Sequence, residues 1–146
     1  MTERIFWDTA AFVALANQDD DLHRTAVEVS KQMARARAKI VTTDAVLTEV
    51  ANMFSRPAWR PMAQRIIEAL HHSQRTGSAH LIHVDEDLWQ RGWRLFQART
   101  DKEWSLTDCI SFVVMQDNKL SRAFTSDHHF EQAGFVRLIT TLDRGR

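Results

Sequence analysis

Cysteine, glycine and proline are all scarce in this chain, and each shortage narrows the class of protein. The 146 residues include one cysteine, four glycines, two prolines and no tyrosine. A single cysteine, Cys109, cannot form an internal disulfide, which favours a reducing cytoplasm over a secreted setting. So few glycines and prolines leave little room for long loops, and we expect one domain over residues 1–146, rich in regular structure.

The chain also lacks an excess of charge and a long apolar segment. Nineteen basic residues balance nineteen acidic ones, so binding to nucleic acid would need a local basic patch. No apolar run approaches the roughly 18 residues of a membrane span. The first residues, MTERIFWDTAAF, do not resemble a signal peptide. We therefore expect a cytoplasmic protein that does not associate with membranes.

What the sequence does contain is an alternation of strand and helix patterns. Short apolar runs predict five strands, at Arg4–Asp8, Lys39–Thr43, Ala79–Val84, Ser121–Asp127 and Phe135–Thr140. Segments with helical periodicity lie between most of them. This order predicts an α/β fold with a parallel sheet and helices on both faces. Because parallel strands end at a common carboxyl edge, a ligand site is expected along that edge.

The most apolar segment, SLTDCISFVV, begins beside a carboxylate, Asp108. Ser105 and Asp108 have the spacing of a capping box, in which a hydroxyl and an acid satisfy backbone N–H groups of the first turn. Asp8 in IFWDTAAF and Asp127 in FTSDHHF also fit helix starts, where such acids contribute about 1 kcal/mol. Glu49 in VLTEVANMF lies past the capping positions, so it either faces solvent or belongs to a site.

Convergence of these four acids would require a counter-charge. At about 4 Å, two like charges repel by about 4 kcal/mol at an effective dielectric near 20, so such a cluster binds protons or a cation. Oxygen ligands without a pair of thiolates suit Mg²⁺ or Mn²⁺. Cations held at a sheet edge are a common device of phosphoryl chemistry. The residues alone leave two roles open for Asp108, a helix cap and a metal ligand.

Taken together, these segments resemble the PIN domain family. The shared features are a first strand ending in Asp-Thr, a TEVAN helix, an SLTD helix start and a late TSDHHF…AGF segment. Size and layout are similar to the VapC-type toxin ribonucleases of toxin–antitoxin pairs, from Ile5 to about Ile139. The resemblance implies a three-layer α/β/α sandwich with a mostly parallel five-stranded central sheet.

The same resemblance implies a function and a set of site residues. It implies an endoribonuclease in which water activated by Mg²⁺ or Mn²⁺ cleaves an RNA phosphodiester bond. The catalytic and metal-binding acids of the family correspond to Asp8, Glu49, Asp108 and Asp127. The polar positions that help to orient these acids correspond to Thr9 and Ser126. RNA as substrate, a small antitoxin protein and a homodimer are the implied partners.

Other residues could contact RNA. Trp59 lies between Arg56 and Arg60 and could stack on a base. His128 and His129 could donate to a phosphate or to RNA, although partly exposed positions at a helix start are the favoured explanation. Substrate binding by these five residues is thus a hypothesis that depends on where the fold places them.

Three points stay open at the level of sequence. Trp89 and Trp93 share a helical face that could be core, a dimer interface or a stacking surface. A PIN-like scaffold that binds RNA or protein without cutting is the alternative function, although it has no need of four repelling carboxylates. A phosphatase-like fold with Asp8 as nucleophile is disfavoured, because DTA lacks a second Asp two residues on.

Overall fold

A parallel sheet organises the chain in the computed structural model, which describes residues 2–140. The strands are β1 (Arg4–Trp7), β2 (Lys39–Thr43), β3 (Ala79–Ile82), β4 (Arg122–Phe124) and β5 (Val136–Arg137). They lie in the order β3-β2-β1-β4-β5, and each neighbouring pair is parallel. The strand β1 is central, and its apolar residues Ile5 and Phe6 are fully buried as a strand covered on both faces requires.

Helices connect the strands and cover both faces of the sheet. They are α1 (Thr9–Ala16), α2 (His23–Arg35), α3 (Asp44–Met53), α4 (Arg60–Arg75), α5 (Glu86–Ala98), α6 (Leu106–Asp117) and α7 (His129–Gln132). Ile5 and Phe6 belong to two different core clusters because successive strand residues point to opposite faces. The predicted three-layer α/β/α sandwich is confirmed. None of the described helices has the length and apolar character needed to cross a membrane.

The strand β2 begins and ends at the residues that the sequence predicted. The strands β3, β4 and β5 are shorter than the apolar patterns that predicted them. The apolar pattern at Ser121–Asp127 extends beyond the C-terminal end of β4, which is Phe124. Beyond that residue, the backbone N–H of Asp127 donates to the side chain of Thr125 at 3.0 Å instead of to a neighbouring strand. A local side-chain acceptor thus ends the strand and begins the turn that carries Asp127.

The packing of α5 differs from what its aromatic stripe suggests. Leu88 and Gly92 are the buried residues of α5, whereas Trp89, Trp93 and Phe96 are each more than a third exposed. Gly92 lies against α6 so closely that a Cβ atom there would be 2.5 Å from Cγ1 of Ile110. A core position for the two tryptophans is therefore wrong, because helix contact at a glycine turns the aromatic stripe outward.

We expect Gly92→Ala to destabilise the protein, although alanine normally stabilises a helix interior by about 1 kcal/mol relative to glycine. The added methyl group meets both Cγ1 and the Cα of Ile110, the latter at 3.2 Å. Such overpacking typically costs about 1–3 kcal/mol. Urea unfolding of the variant measures the change in the free energy of unfolding.

A double-mutant cycle with Ile110→Ala isolates the contact. The double variant should lose less free energy of unfolding than the sum of the two single variants, because truncation of Ile110 makes room for the new methyl group. A Gly92→Ala protein as stable as the parent would contradict the close approach of α5 to α6.

Candidate active site

Asp8 follows the last residue of the central strand and is almost fully buried, with 4% of its surface exposed. Its position comes from the register of β1 and β4, which pairs Trp7 with Phe124 and so places Asp8 beside Thr125. The hydroxyl of Thr125 donates to Oδ2 of Asp8 at 2.8 Å. The same Thr125 hydroxyl oxygen accepts the backbone N–H of Asp127. One buried hydroxyl therefore fixes the orientation of one acid and the turn that carries another.

Burial has a direct effect on the charge of Asp8. Desolvation raises the pKa of this carboxyl group to about 7. The hydrogen bond from Thr125 acts in the opposite direction, and the nearby carboxylates of Asp108 and Asp127 raise the pKa further. Burial thus favours the protonated form of Asp8 unless a cation takes the place of the proton.

Asp108 is the second acid, and it has the helix-capping role that the sequence left open. Ser105 Oγ accepts the backbone N–H of Asp108 at 3.0 Å, and Oδ2 of Asp108 accepts the backbone N–H of Ser105 at 3.1 Å, which completes the capping box. The cap leaves Asp108 buried at the edge of the sheet. Burial raises its pKa, the Ser105 bond lowers it and the charge of Asp127 raises it again.

His129 joins Asp108 to the third acid, Asp127. Its Nδ1 atom lies 3.1 Å from Oδ2 of Asp108 and 3.2 Å from Oδ1 of Asp127. Its backbone N–H also donates to Oδ1 of Asp127 at 2.9 Å. The short helix α7 thus begins at His129, whose imidazole contacts both carboxylates and is largely shielded from solvent. Both histidines lie at the start of this helix and are at least partly exposed, as expected: His128 is largely exposed and His129 much less so.

The aspartates of this cluster keep carboxylate oxygens available for a ligand. The contacts of the described residues engage Oδ2 of Asp108 and Oδ1 of Asp127, and they leave the second oxygen of each free. The hydroxyl of Thr9, next to Asp8, is buried and has no hydrogen-bond partner among residues 2–140. Asp127, His128 and His129 also offer ligand atoms within 4.8 Å of one another. Buried, orientated carboxylates with free oxygens suit a hard divalent cation such as Mg²⁺ or Mn²⁺.

Two residues of the predicted set are not joined to this cluster by direct contacts. Glu49 lies half-buried on α3, and in residues 2–140 it makes no hydrogen bond or ion pair. Ser126 contributes its backbone carbonyl, which accepts from Arg137 at 2.9 Å, and not its hydroxyl. The roles of Glu49 as a ligand and of Ser126 as an orienting residue stay predictions.

Sequence reasoning missed Thr125, the residue that orients Asp8. A hydroxyl two residues before an acid suggests a local turn, and nothing local reveals a partner 117 positions away. The strand order supplies that information, since only the pairing of β1 with β4 brings the two ends together.

A second group of predicted residues forms a surface feature between α3 and α4. Trp59 is 41% exposed, and the guanidinium of Arg56 lies 4.8 Å from its ring centroid. Arg60 donates to the carbonyl of Ser55 at 2.9 Å, which holds this turn together. The arrangement presents an aromatic ring next to two cations, as the sequence suggested.

In metal-free protein, Asp8→Asn should increase the free energy of unfolding above pH 7, by roughly 2–4 kcal/mol. The raised pKa means that ionisation of this carboxyl group costs free energy in the folded protein. That cost is fully present above about pH 7 and disappears as the pH falls towards 4. Asparagine keeps the acceptor for Thr125. Urea unfolding in EDTA at pH 8 and pH 4.5 measures the difference.

Glu49→Gln is the matched control, because it removes a half-buried carboxylate that lacks a hydrogen bond in the described structure. It should change stability little and equally at both pH values. A stability gain of Asp8→Asn that is independent of pH would contradict the assigned effect of burial.

Comparisons with known proteins identify the family of this chain. The sequence profile of the PIN domain matches residues 5–136. The chain is 28% identical over 134 residues to the 23S rRNA-specific endonuclease VapC20 of Mycobacterium tuberculosis, covering 92% of this chain and 97% of that protein.

Solved structures show the same relationship at the level of the fold. The crystal structure of Mycobacterium tuberculosis VapC20, described as a Sarcin-Ricin loop cleaving toxin, superposes with a TM-score of 0.76 at 28% identity, covering 90% of this chain and 96% of the other. VapBC2 of Rickettsia felis, solved with a DNA fragment from its promoter, shares the fold with a TM-score of 0.61 at 12% identity, covering 92% and 96%. With the family profile over most of its length and the acids at the carboxyl edge of the sheet, this chain belongs to the PIN domain family.

Proposed function

We propose that this protein is a Mg²⁺- or Mn²⁺-dependent endoribonuclease and the toxin of a toxin–antitoxin pair. The observation that carries the proposal is the convergence of Asp8, Asp108 and Asp127 at one sheet edge, where burial raises the pKa of the first two. Similarity to an rRNA endonuclease over nearly its whole length supports the same activity.

The chain's own residues prepare this site for a cation and a phosphate. Thr125 orients Asp8, Ser105 orients Asp108, and His129 holds Asp108 and Asp127 together. When bound, a divalent cation neutralises phosphate charge and lowers the pKa of a coordinated water molecule. The protein's contribution is to hold the carboxylates rigidly in a buried site, so that little reorganisation is needed during hydrolysis.

For the substrate we propose RNA, with ribosomal RNA as the first to test. VapC20 is named for cleavage of 23S rRNA and of the sarcin–ricin loop, which supports this choice. Trp59 with Arg56 provides a stacking surface and positive charge for single-stranded bases, and Arg60 holds its turn. His128, which is largely exposed beside Asp127, would donate to a phosphate.

Two protein partners complete the proposal. One is a small antitoxin that inhibits the nuclease, in line with the likeness of the fold to a VapBC complex. The other is a second copy of the chain in a homodimer. We place the protein in the cytoplasm, where ribosomal RNA is available.

Cleavage of RNA should depend on the acids and on a divalent cation. Purified protein is incubated with a sarcin–ricin loop oligonucleotide and with a mixed structured-RNA pool, in Mg²⁺, Mn²⁺ or EDTA. Asp8→Asn and Asp108→Asn should each lower the cleavage rate by more than about 100-fold, beyond the loss typical of residues that only support a ligand. Gel analysis of the products measures the rate.

Asp101→Asn is the control for the loss of one negative charge, because Asp101 is exposed and pairs with Arg99 at 2.9 Å. It should keep the parental rate. Cutting that continues in EDTA or in both amide variants would overturn the nuclease site. A metal-induced thermal shift without cutting of any RNA would favour a binding scaffold.

His129→Ala should weaken binding of Mn²⁺ by about 10- to 100-fold, because Asp108 and Asp127 lose the group between them. Isothermal titration of metal into the protein measures the affinity. His71→Ala is the matched control, since that imidazole is exposed on α4. Equal losses in the two variants would contradict a positioning role that is specific to His129.

A further inference from the structure

The helix α7 carries His129 and directly follows the turn of Asp127, yet it has only four residues, His129–Gln132. So short a helix has few hydrogen bonds of its own, and its position depends on contacts with other elements. Phe130 is fully buried and anchors the helix in the core. An apolar anchor of this kind has little directionality, so the orientation of the polar groups beside it requires hydrogen bonds from elsewhere in the fold.

Arg137, the last residue of β5, makes two such hydrogen bonds. Its Nη1 atom donates to the backbone carbonyl of Ser126 at 2.9 Å, and its Nη2 atom lies 2.9 Å from Oε1 of Glu131. Ser126 directly precedes Asp127, and Glu131 belongs to α7. One planar cation thus joins the turn that carries Asp127 to the helix that follows it.

The burial of Arg137 is costly for a residue that serves stability alone. Its side chain is 12% exposed, and its Nε atom is buried without a hydrogen-bond partner among residues 2–140. A buried charge loses the solvation of water, and apolar residues of similar volume often replace a buried ion pair without loss of stability. What an apolar residue cannot replace is the pair of directed hydrogen bonds from the guanidinium to Ser126 and Glu131.

The backbone around Arg137 gives these hydrogen bonds a fixed origin. Arg137 is paired with Ala123 in the parallel register of β5 and β4. Ile139 donates its backbone N–H to the carbonyl of Thr125 at 3.0 Å. The successive carbonyl groups of Thr125 and Ser126 are therefore both held from the same side, the first by the main chain and the second by the guanidinium.

Among the arginines and lysines of residues 2–140, Arg137 is the one whose side chain makes a hydrogen bond or ion pair with residues 125–132. Arg122, on the adjacent strand β4, instead pairs with Glu3 at 2.7 Å. That pair lies at the amino end of the sheet, because Arg122 begins its strand. The two arginines thus differ in which end of the sheet they hold.

We propose that Arg137 is a positioning residue of the metal site. Its guanidinium holds the carbonyl of Ser126 and the carboxylate of Glu131, and through them it sets the positions of Asp127 and His129. Arg137 acts through these groups and is not itself a ligand. The inference rests on the proposed function for the divalent cation that the site would bind.

The first test is the affinity for Mn²⁺, measured by isothermal titration into the full chain without RNA. Arg137→Met keeps much of the buried volume and removes both hydrogen bonds. It should weaken Mn²⁺ binding by about 10-fold or more, as is typical when a group that orients metal ligands is lost. Arg122→Met is the matched control and should keep the parental affinity. Thermal unfolding verifies that each variant is folded.

The second test separates the hydrogen bonds from the packing of the side chain. Arg137→Lys restores a donor without the planar fork that spans both acceptors, so it should recover part of the Mn²⁺ affinity that Arg137→Met loses. Glu131→Gln leaves the guanidinium in place and should cause a smaller loss. Hydrogen exchange of the metal-free protein in EDTA should become faster over residues 127–132 in Arg137→Met and stay unchanged in α6.

Parental Mn²⁺ affinity in Arg137→Met would overturn the proposal, as would equal losses in Arg122→Met or in Arg137→Lys. If Arg137→Met does not fold, Glu131→Gln decides, and parental affinity in that variant would overturn it. A parent protein that binds no Mn²⁺ would overturn the metal site itself. A parent protein that cuts no RNA, with the expected order of Mn²⁺ affinities, would contradict the nuclease proposal and support the role of Arg137.

Discussion

The hydroxyl of Thr125 is the constraint on which the site depends. It donates to the buried carboxylate of Asp8 and accepts the backbone N–H of Asp127, so it links the ends of β1 and β4. The parallel pairing of these strands sets the geometry of the site. Burial sets the free-energy cost of a carboxylate charge there. A carboxylate at this depth is stable only with a proton or a cation, because water cannot solvate it. Metal affinity and the cost of the metal-free state thus have the same origin.

Asp108 combines a stabilising role, the helix cap, with the chemical role that we propose for it. One of its oxygens closes the capping box with Ser105 and contacts His129, which leaves the other oxygen for a ligand. The cap explains why a charge can stand at the start of the most apolar helix of the chain. Its burial beside Asp127 explains why the same charge is costly without a cation. The helix cap and the buried charge are therefore both needed to describe Asp108.

The aromatic face of α5 is a second feature that packing determines, because packing fixes which side of this helix is exposed. Gly92 allows α5 to approach Ile110 closely, and this contact fixes which side of the helix is buried. The stripe with the largest side chains is then left exposed to solvent. Hydrophobicity along a helix identifies an apolar face, and only the neighbouring element decides whether that face belongs to the core or to an interface.

The sequence by itself determined the alternation of strands and helices, the capping box at Ser105 and the acids that end apolar segments, because these patterns are local. It also placed Asp8 and Asp127 at one edge, since parallel strands share their carboxyl ends. Tertiary structure alone decided that Thr125 orients Asp8 and that His129 lies between two carboxylates. The reason is physical: these relations depend on strand order and helix packing between residues far apart in the chain, which no local pattern encodes.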